Sequence, residues 1–117
     1  DGEVLARAGN RTRELSDPTA HAEILAIRAA CAALKSERLP GARPWVTLEP
    51  CPMCAAAISA ARIEVLYYGA DDPRMGGVRH GAKVFDHPQC HHRPQIMDGI
   101  SAEESRALLQ EFFRKRR

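Results

Sequence analysis

Short runs of β-branched and aromatic residues alternate with alanine-rich segments, and this alternation constrains the fold more than any other feature. The runs at residues 45–48 and 65–68 favour strands, because branched and aromatic side chains suit a pleated surface. Residues 4–8 predict a further short strand, which Gly9-Asn10 ends. The alanine-rich segments at residues 19–36 and 52–61 consist mainly of strong helix formers. Strands that alternate with helices are typical of folds in which helices pack on a sheet. The sequence therefore predicts an α/β fold.

The C-terminal part of the chain predicts a long loop, one more strand and a last helix. Residues 71–94 combine three glycines and four histidines with little periodicity, which favours an ordered loop close to a functional site. Residues 95–97 predict a strand. Ser101 and Glu104 form a capping box, which predicts a helix that begins there and continues through Phe113.

Length, composition and charge exclude several classes of protein. The 117 residues suffice for one core, so we expect a single domain over residues 1–117. A hydrophobic content of 44% and a charged content of 27% are typical of globular proteins and exclude disordered and collagen-like chains. The longest nearly apolar stretch, residues 55–61, is far shorter than the roughly 20 residues that cross a bilayer. Residues 114–117 supply four positive charges, so attraction for phosphate is expected at that end.

The cysteine content and the start of the chain bear on its cellular setting. Four cysteines without a secretory signal ahead of them favour a reduced, cytoplasmic location. Asp1-Gly2 is a favoured hairpin-turn dipeptide, and a turn at the first residue predicts that a native N-terminal segment with a further strand precedes it.

Metal-binding residue types stand at the predicted starts of both helices. His21-Ala22-Glu23 opens the first helix, and Pro50-Cys51-Pro52-Met53-Cys54 opens the second. Thiolate sulfur and imidazole nitrogen are preferred zinc donors, and a C-x-x-C spacing lets both sulfurs reach one metal. Three protein ligands leave the fourth tetrahedral position for water, as catalytic zinc requires. His21, Cys51 and Cys54 are therefore candidate ligands of a catalytic zinc ion.

Two other interpretations of the cysteine pair remain open at this stage. A structural zinc site needs a fourth ligand, which Cys90, His91 or His92 could supply, and these three residues could also form a second metal site. A redox dithiol is the other interpretation, but it leaves His21 and Glu23 without a role.

Glu23 follows His21 by two residues in a mostly apolar stretch. A carboxylate beside a zinc ligand can take a proton from metal-bound water and pass it to a leaving group. Asp17 as N-cap and Pro18 at the first helical position predict that the helix starts there. Because residues two apart on a regular helix point in different directions, we expect His21 to lie in an irregular first turn. The alternative role for Glu23 is a simple partner of the helix dipole.

The motifs together resemble one enzyme family. H-A-E, followed about thirty residues later by P-C-x-x-C, matches the signature of zinc nucleobase deaminases. The stretches G-N-R-T, D-P-T-A-H-A-E-I, V-T-L-E-P-C-P-M-C-A-A-A-I and F-F-R-K-R-R extend the match over nearly the whole chain. The chain thus resembles the bacterial tRNA-specific adenosine deaminases of the zinc-dependent cytidine and deoxycytidylate deaminase superfamily.

The resemblance implies a fold and an activity. The fold is the three-layer cytidine-deaminase-like fold, with a mixed central sheet and helices on both faces, whose first helix and strand this chain lacks. The activity is hydrolytic deamination of adenosine to inosine at the wobble position of a tRNA anticodon, by zinc-activated water with a glutamate proton shuttle. Family members are homodimers that bind the anticodon stem-loop and carry one zinc ion per subunit.

The resemblance also assigns roles to residues of this sequence. His21, Cys51 and Cys54 would bind zinc, and Glu23 would be the catalytic proton shuttle. Asn10 would contact the flipped base, and Asp72 would lie near the preceding nucleotide, where a carboxylate can accept from a ribose hydroxyl.

The C-terminal aromatic and basic residues are candidates for RNA binding. Phe112, Phe113 and Arg114 could stack on bases and neutralise phosphates, since aromatic faces beside cations suit single strands. Core packing is the alternative for the phenylalanines. Two alternative functions also stay open: deamination of free guanine, cytosine or cytidine, and a non-catalytic zinc-stabilised RNA-binding module.

Overall fold

The computed structural model describes residues 3–99 and 111–115. Within these residues, a five-stranded mixed sheet packs against two α-helices, and a short 3-10 turn lies in the long loop. The elements in chain order are β1 (Glu3–Ala8), α1 (Ala22–Leu34), β2 (Ala42–Leu48), α2 (Pro52–Ala60), β3 (Val65–Ala70), the 3-10 turn Val84–Asp86, β4 (Gln95–Asp98) and β5 (Glu111–Lys115).

The sheet order is β1-β5-β2-β3-β4. Strands β2, β3 and β4 run parallel, with Trp45 opposite Tyr67 and Tyr67 opposite Met97. Helix α1 connects β1 to β2, and α2 connects β2 to β3, so both connections move across the sheet in the same direction. Right-handed connections then place both helices on one face, where α1 and α2 pack against each other. The α/β class and the mixed sheet are as the sequence predicts.

The core lies between these two helices and the sheet. Alanines face it from the helices, and Ala26, Ala30 and Ala55 are completely buried. Small side chains let the helix backbones approach the sheet, while Tyr68 and Leu66 of β3 fill the remaining volume. The two tyrosines of β3 alternate as a strand requires, since Tyr68 is buried and Tyr67 stacks on Trp45 with ring centroids 4.2 Å apart.

Helix α1 begins later than the sequence predicts. Asp17 does not cap it: its Oδ1 accepts hydrogen bonds from the backbone N–H and the hydroxyl of Thr19, which closes a local turn. The N-cap is His21, with an extended backbone at φ −68° and ψ 154°, and the helix runs from Ala22. His21 therefore precedes the regular helix, instead of lying in an irregular first turn of a helix that starts at Asp17.

The predicted last helix is wrong where the structure describes it. Residues 100–110 lie outside the described residues, but Glu111–Lys115 form strand β5 rather than helix. This strand runs antiparallel between β1 and β2, with Phe112 opposite both Arg7 and Trp45. Adjacent phenylalanines favour a strand once ladder partners are present on both sides, and this pairing overrides the helical spacing. The same pairing extends β2 back to Ala42.

The described residues contain no helix that is both long enough and apolar enough to span a membrane. Asp1 and Gly2, where the sequence predicts a hairpin turn, are outside the described residues.

Candidate metal centre and active site

The starts of the two helices bring His21, Cys51 and Cys54 together. His21 is the N-cap of α1, Cys51 is the N-cap of α2, and Cys54 lies in the first turn of α2. The Nδ1 atom of His21 lies 3.6 Å from Sγ of Cys51 and 3.5 Å from Sγ of Cys54. The three donor atoms all lie within 4.8 Å of one another.

These distances fit a zinc ion. Tetrahedral zinc with Zn–S of about 2.3 Å and Zn–N of about 2.0 Å separates the sulfur and nitrogen atoms by about 3.5 Å. The two measured S···N distances of 3.6 and 3.5 Å agree with that value. In residues 3–99, no further His, Cys, Asp or Glu side chain joins this group. Three protein ligands leave one position open, which is the pattern of catalytic rather than structural zinc.

Local sequence explains why the donors meet at helix starts. Pro52 occupies the first position of α2, where its missing N–H costs nothing. Both helices direct the positive ends of their dipoles toward the metal-binding group. Because α1 follows β1 and α2 follows β2, both helix starts lie at the same edge of the sheet.

A cavity of about 310 Å³ opens at this edge. Glu23, which is only 9% exposed, lines this cavity together with Asn10 and Asp72. Its lining also contains Leu48 and Met75, whose side chains are 45% and 62% exposed. The full lining is Asn10, His21, Ala22, Glu23, Thr47, Leu48, Glu49, Cys51, Asp72 and Met75.

The side-chain oxygens of Asn10 and Asp72 accept hydrogen bonds from nearby backbone N–H groups, and these bonds hold the two side chains in place. Oδ1 of Asn10 accepts the N–H of Thr12 at 2.9 Å. Oδ1 of Asp72 accepts the N–H groups of Arg74 and Met75 at 3.2 and 3.0 Å. Both side chains are therefore oriented by short-range turns at the rim of the cavity.

The three predicted RNA-contact residues near the C-terminus belong to the sheet. Phe112, Phe113 and Arg114 lie on β5, and their backbone pairs with β1 on one side and β2 on the other. Their role in RNA binding stays a prediction.

The long loop contains a residue pair that the sequence did not single out. The side chain of Glu49 is completely buried and contacts the imidazole of His80, whose Nδ1 lies 2.7 Å from Oε1. Burial raises the pKa of Glu49, but hydrogen bonds from the backbone of Asp72, Val78 and His80 and from the His80 side chain outweigh it. The net pKa is therefore below the ordinary glutamate value. The only local signal for Glu49 is its position between a predicted strand and the first cysteine of the C-x-x-C motif.

Cys90 and His92, near the end of the long loop, hold it against the end of α2 and the residues that follow. The hydroxyl of Ser59 donates to the carbonyl of His92 at 2.7 Å, and Sγ of Cys90 donates to the same carbonyl at 3.1 Å. Nε2 of His92 lies 2.5 Å from the carbonyl of Ile63. Among the described residues Cys90, His91 and His92 form no metal-binding group, so they give no support to a second metal site.

Comparison with known proteins decides the family. A family model described as MafB19-like deaminase matches residues 1–117. The chain belongs to the MafB19-like deaminases.

Individual relatives are more specific. This MafB19-like deaminase is 61% identical over 117 residues to the tRNA-specific adenosine deaminase of Agrobacterium fabrum, covering 100% of this chain and 77% of the relative. A solved structure from studies of A-to-I editing by tRNA:A34 deaminases at the wobble position of transfer RNA is similar with a TM-score of 0.88. It is 62% identical in sequence, and the match covers 92% of this chain and 78% of that chain.

A more distant match is the X-ray structure of guanine deaminase from Bacillus subtilis. Its TM-score is 0.60 at 42% identity, and the match covers 61% of this chain and 45% of that chain. These matches confirm the family resemblance inferred from the motifs and the cytidine-deaminase-like fold of this MafB19-like deaminase.

Proposed function

We propose that this chain catalyses the hydrolytic deamination of adenosine to inosine at the wobble position of a tRNA anticodon. The observation that carries the proposal is the 61% identity over the whole chain with a tRNA-specific adenosine deaminase. The solved structure that matches this chain with a TM-score of 0.88 comes from studies of A-to-I editing at the wobble position. Water and adenosine are consumed, and inosine and ammonia are formed.

The cofactor of the proposed reaction is zinc, one ion per subunit. His21, Cys51 and Cys54 would hold it, because their donor atoms already have the separations that tetrahedral zinc requires. When bound, zinc supplies Lewis-acid activation of water at neutral pH.

Glu23 is the proposed proton shuttle. It lies in the first turn of α1, is buried, and lines the cavity beside His21. Its carboxylate can accept a proton from the attacking water and deliver it to the ring nitrogen next to the amino-bearing carbon of adenine. Transfer of the remaining proton to the amino group then releases ammonia. A dry position makes this transfer efficient, since bulk water does not compete for the proton.

The cavity walls suit a flat base taken out of its stack. Leu48 and Met75 present exposed apolar surface at the rim, and such surface can pack on the face of an aromatic ring. Asn10 and Asp72 offer polar groups beside it. An unpaired anticodon-loop base costs less to extrude than a duplex base, which favours loop substrates.

Assembly, location and the C-terminal contacts complete the proposal. We expect a homodimer in the cytoplasm, with Phe112, Phe113 and Arg114 contributing to the binding of the anticodon stem-loop. Aromatic and cationic residues in sequence are typical of surfaces that bind single-stranded RNA.

The likeness to guanine deaminase supports one alternative, deamination of a free base. The same metal-binding group and the same glutamate would serve it, with only the cavity walls differing. Its match covers 61% of this chain, against 92% for the tRNA:A34 deaminase structure, so we favour the tRNA substrate.

The deciding experiment compares substrates side by side. Zinc-loaded protein is incubated with an anticodon stem-loop carrying a wobble adenosine, and separately with free adenosine, cytidine, cytosine and guanine. Inosine in the stem-loop alone is the expected result. Conversion of a free base without conversion of the stem-loop would contradict the proposal and reassign the cavity.

A further inference from the structure

A completely buried carboxylate next to the metal-binding group accepts five hydrogen bonds from one loop. Oε1 of Glu49 accepts the N–H of Asp72 at 3.1 Å and Nδ1–H of His80 at 2.7 Å. Oε2 accepts the N–H groups of Val78, Arg79 and His80 at 3.0, 2.9 and 3.1 Å. Because an ionised carboxylate only accepts, Nδ1 is the protonated nitrogen of His80.

These bonds hold both ends of the segment formed by residues 72–80, which is named the rim loop from here on. The N–H of Asp72 anchors its first residue, and the N–H groups of residues 78–80 anchor its last three. The backbone of the rim loop also contacts the helix start directly, since the N–H of Gly77 donates to the carbonyl of Pro50 at 2.8 Å. Glu49 therefore links the rim loop to the segment that carries Cys51.

The rim loop supplies one side of the cavity. Asp72 and Met75 line the cavity together with the metal-binding residues, and the hydrogen bonds from the N–H groups of Arg74 and Met75 fix the Asp72 side chain relative to the loop backbone. A shift of the backbone at residues 72–75 would move a carboxylate and an apolar side chain together, while the hydrogen bond from Gly77 to Pro50 still holds the loop to the helix start.

A second metal site at Glu49 is the competing interpretation. One oxygen each from Glu49 and Asp71 and one ring nitrogen of His80 lie within 4.8 Å of one another. However, both oxygens of Glu49 already accept multiple N–H groups, and Oδ1 of Asp71 accepts the hydroxyl of Tyr68 at 3.2 Å. The oxygens of Glu49 are occupied by N–H donors and not by a cation, so the Glu49 carboxylate acts as a hydrogen-bond acceptor for the loop.

We propose that Glu49 is a positioning residue that sets the geometry of the rim loop and thereby the affinity of the cavity for the nucleotide substrate. Glu49 touches no reacting atom. The inference rests on the proposed function for the identity of the substrate, but not for the anchoring of the loop. Loss of Glu49 is expected to raise KM about tenfold, which corresponds to about 1.4 kcal/mol of binding free energy. It is expected to change kcat by less than about threefold, since Glu49 touches no reacting atom.

The test compares Glu49→Gln with Glu37→Gln, a matched substitution at an exposed glutamate after α1. Glu49→Gln replaces one accepting oxygen by an NH₂ group, so the N–H groups facing it lose their acceptor. Zinc content is expected to stay at the wild-type level in both variants. KM for the stem-loop should rise in Glu49→Gln only, and unchanged KM or loss of zinc in that variant would overturn the proposal.

A second variant keeps the buried carboxylate and removes one donor. His80→Ala should raise KM in the same direction but less than Glu49→Gln, and it tests the proposal if Glu49→Gln fails to fold. A larger effect for His80→Ala than for Glu49→Gln would contradict the assignment of Glu49 as the anchor.

A double-mutant cycle separates positioning from general stability. Asp72→Ala removes a group through which the rim loop acts on the substrate, so its effect on KM should be non-additive with that of Glu49→Gln. Effects on KM that multiply independently would show that Glu49 does not act through the rim loop.

Amide hydrogen exchange tests the anchor without any substrate. The amides of residues 72 and 78–80 should exchange faster in Glu49→Gln, while those of α1 keep wild-type rates. If the wild-type protein does not deaminate the stem-loop, the proposed function fails but this measurement still decides the anchor. Unchanged exchange at residues 78–80 would overturn the anchor whatever the substrate is.

Discussion

At the residue scale, the conformation of His21 determines what Glu23 can do. If His21 and Glu23 both lay on a regular helix, their side chains would point away from each other, because they are two residues apart. The extended backbone of His21 at the N-cap removes this conflict, so its imidazole reaches the cysteines while Glu23, one residue into the helix, lines the same cavity. The turn closed by Asp17 and Thr19 delays the helix start and makes this arrangement possible.

Replacing Glu23 by Gln tests the proton shuttle. The amide cannot accept and return a proton, so kcat should fall by about 10²–10⁴-fold, the usual range for a general acid/base. Zinc content and RNA affinity should stay at the wild-type level, because Glu23 is not a member of the metal-binding group. Single-turnover deamination measures the rate, zinc analysis measures the metal content, and a binding titration measures the RNA affinity.

Glu14→Gln is the matched control, since Glu14 is exposed and pairs with Arg11 away from the metal-binding group. Full deamination by a zinc-loaded Glu23→Gln protein would refute the assigned role.

At the element scale, the contact between the rim loop and the start of α2 leaves no room for a side chain. A Cβ atom added at Gly77 would lie 2.5 Å from the backbone nitrogen of Pro52 and 2.9 Å from the carbonyl carbon of Cys51. Both atoms belong to the backbone, so the helix start or the loop must move. The position of Cys51 therefore depends on a glycine that lies far from it in the sequence.

Gly77→Ala should weaken zinc binding as well as lower the melting temperature. Displacement at Cys51 changes the separation of the donor atoms, and zinc affinity depends on that geometry. Competition with a coloured chelator measures the affinity. Gly99→Ala is the control: its φ of +70° makes alanine strained there too, but nothing lies within 4 Å of an added Cβ. Equal zinc affinities in the two variants would contradict the packing argument.

At the scale of the whole molecule, charge is distributed unevenly. The formal net charge is +2, and residues 114–117 alone carry four positive charges, so the remainder of the chain is net negative. Arg114 and Lys115 lie on β5, which pairs with β1 and β2. Deleting residues 114–117 would shorten an interior strand by two residues, so charge neutralisation is the cleaner test of their role.

Replacing all four basic residues by Gln should weaken binding of the stem-loop and flatten its salt dependence. The slope of log K against log salt should decrease by about 0.7 for each lost phosphate contact with single-stranded RNA. Titrations at several salt concentrations measure it, with Arg38→Gln as the control on an exposed loop. An unchanged slope would show that these charges do not contact phosphate.

Local sequence information predicted the metal-binding group and most of the element order. The C-x-x-C spacing places both sulfurs at one helix start, and the alternation of strands with alanine-rich segments predicts helices packed on a sheet. These features depend on neighbouring residues, so they can be read without the fold. The family motifs also identified Glu23, Asn10 and Asp72, which the structure gathers into one cavity.

Only the tertiary structure decided the features that join distant parts of the chain. Strand β5 forms because β1 and β2 offer ladder partners on both sides, and that pairing outweighs the helical pattern around Phe112 and Phe113. Glu49 becomes buried only when the rim loop folds over it and supplies five donors. Hydrogen bonds between Glu49 and residues 72–80 produce no recognisable sequence pattern. They form only when two segments that are distant in the sequence meet in the folded structure.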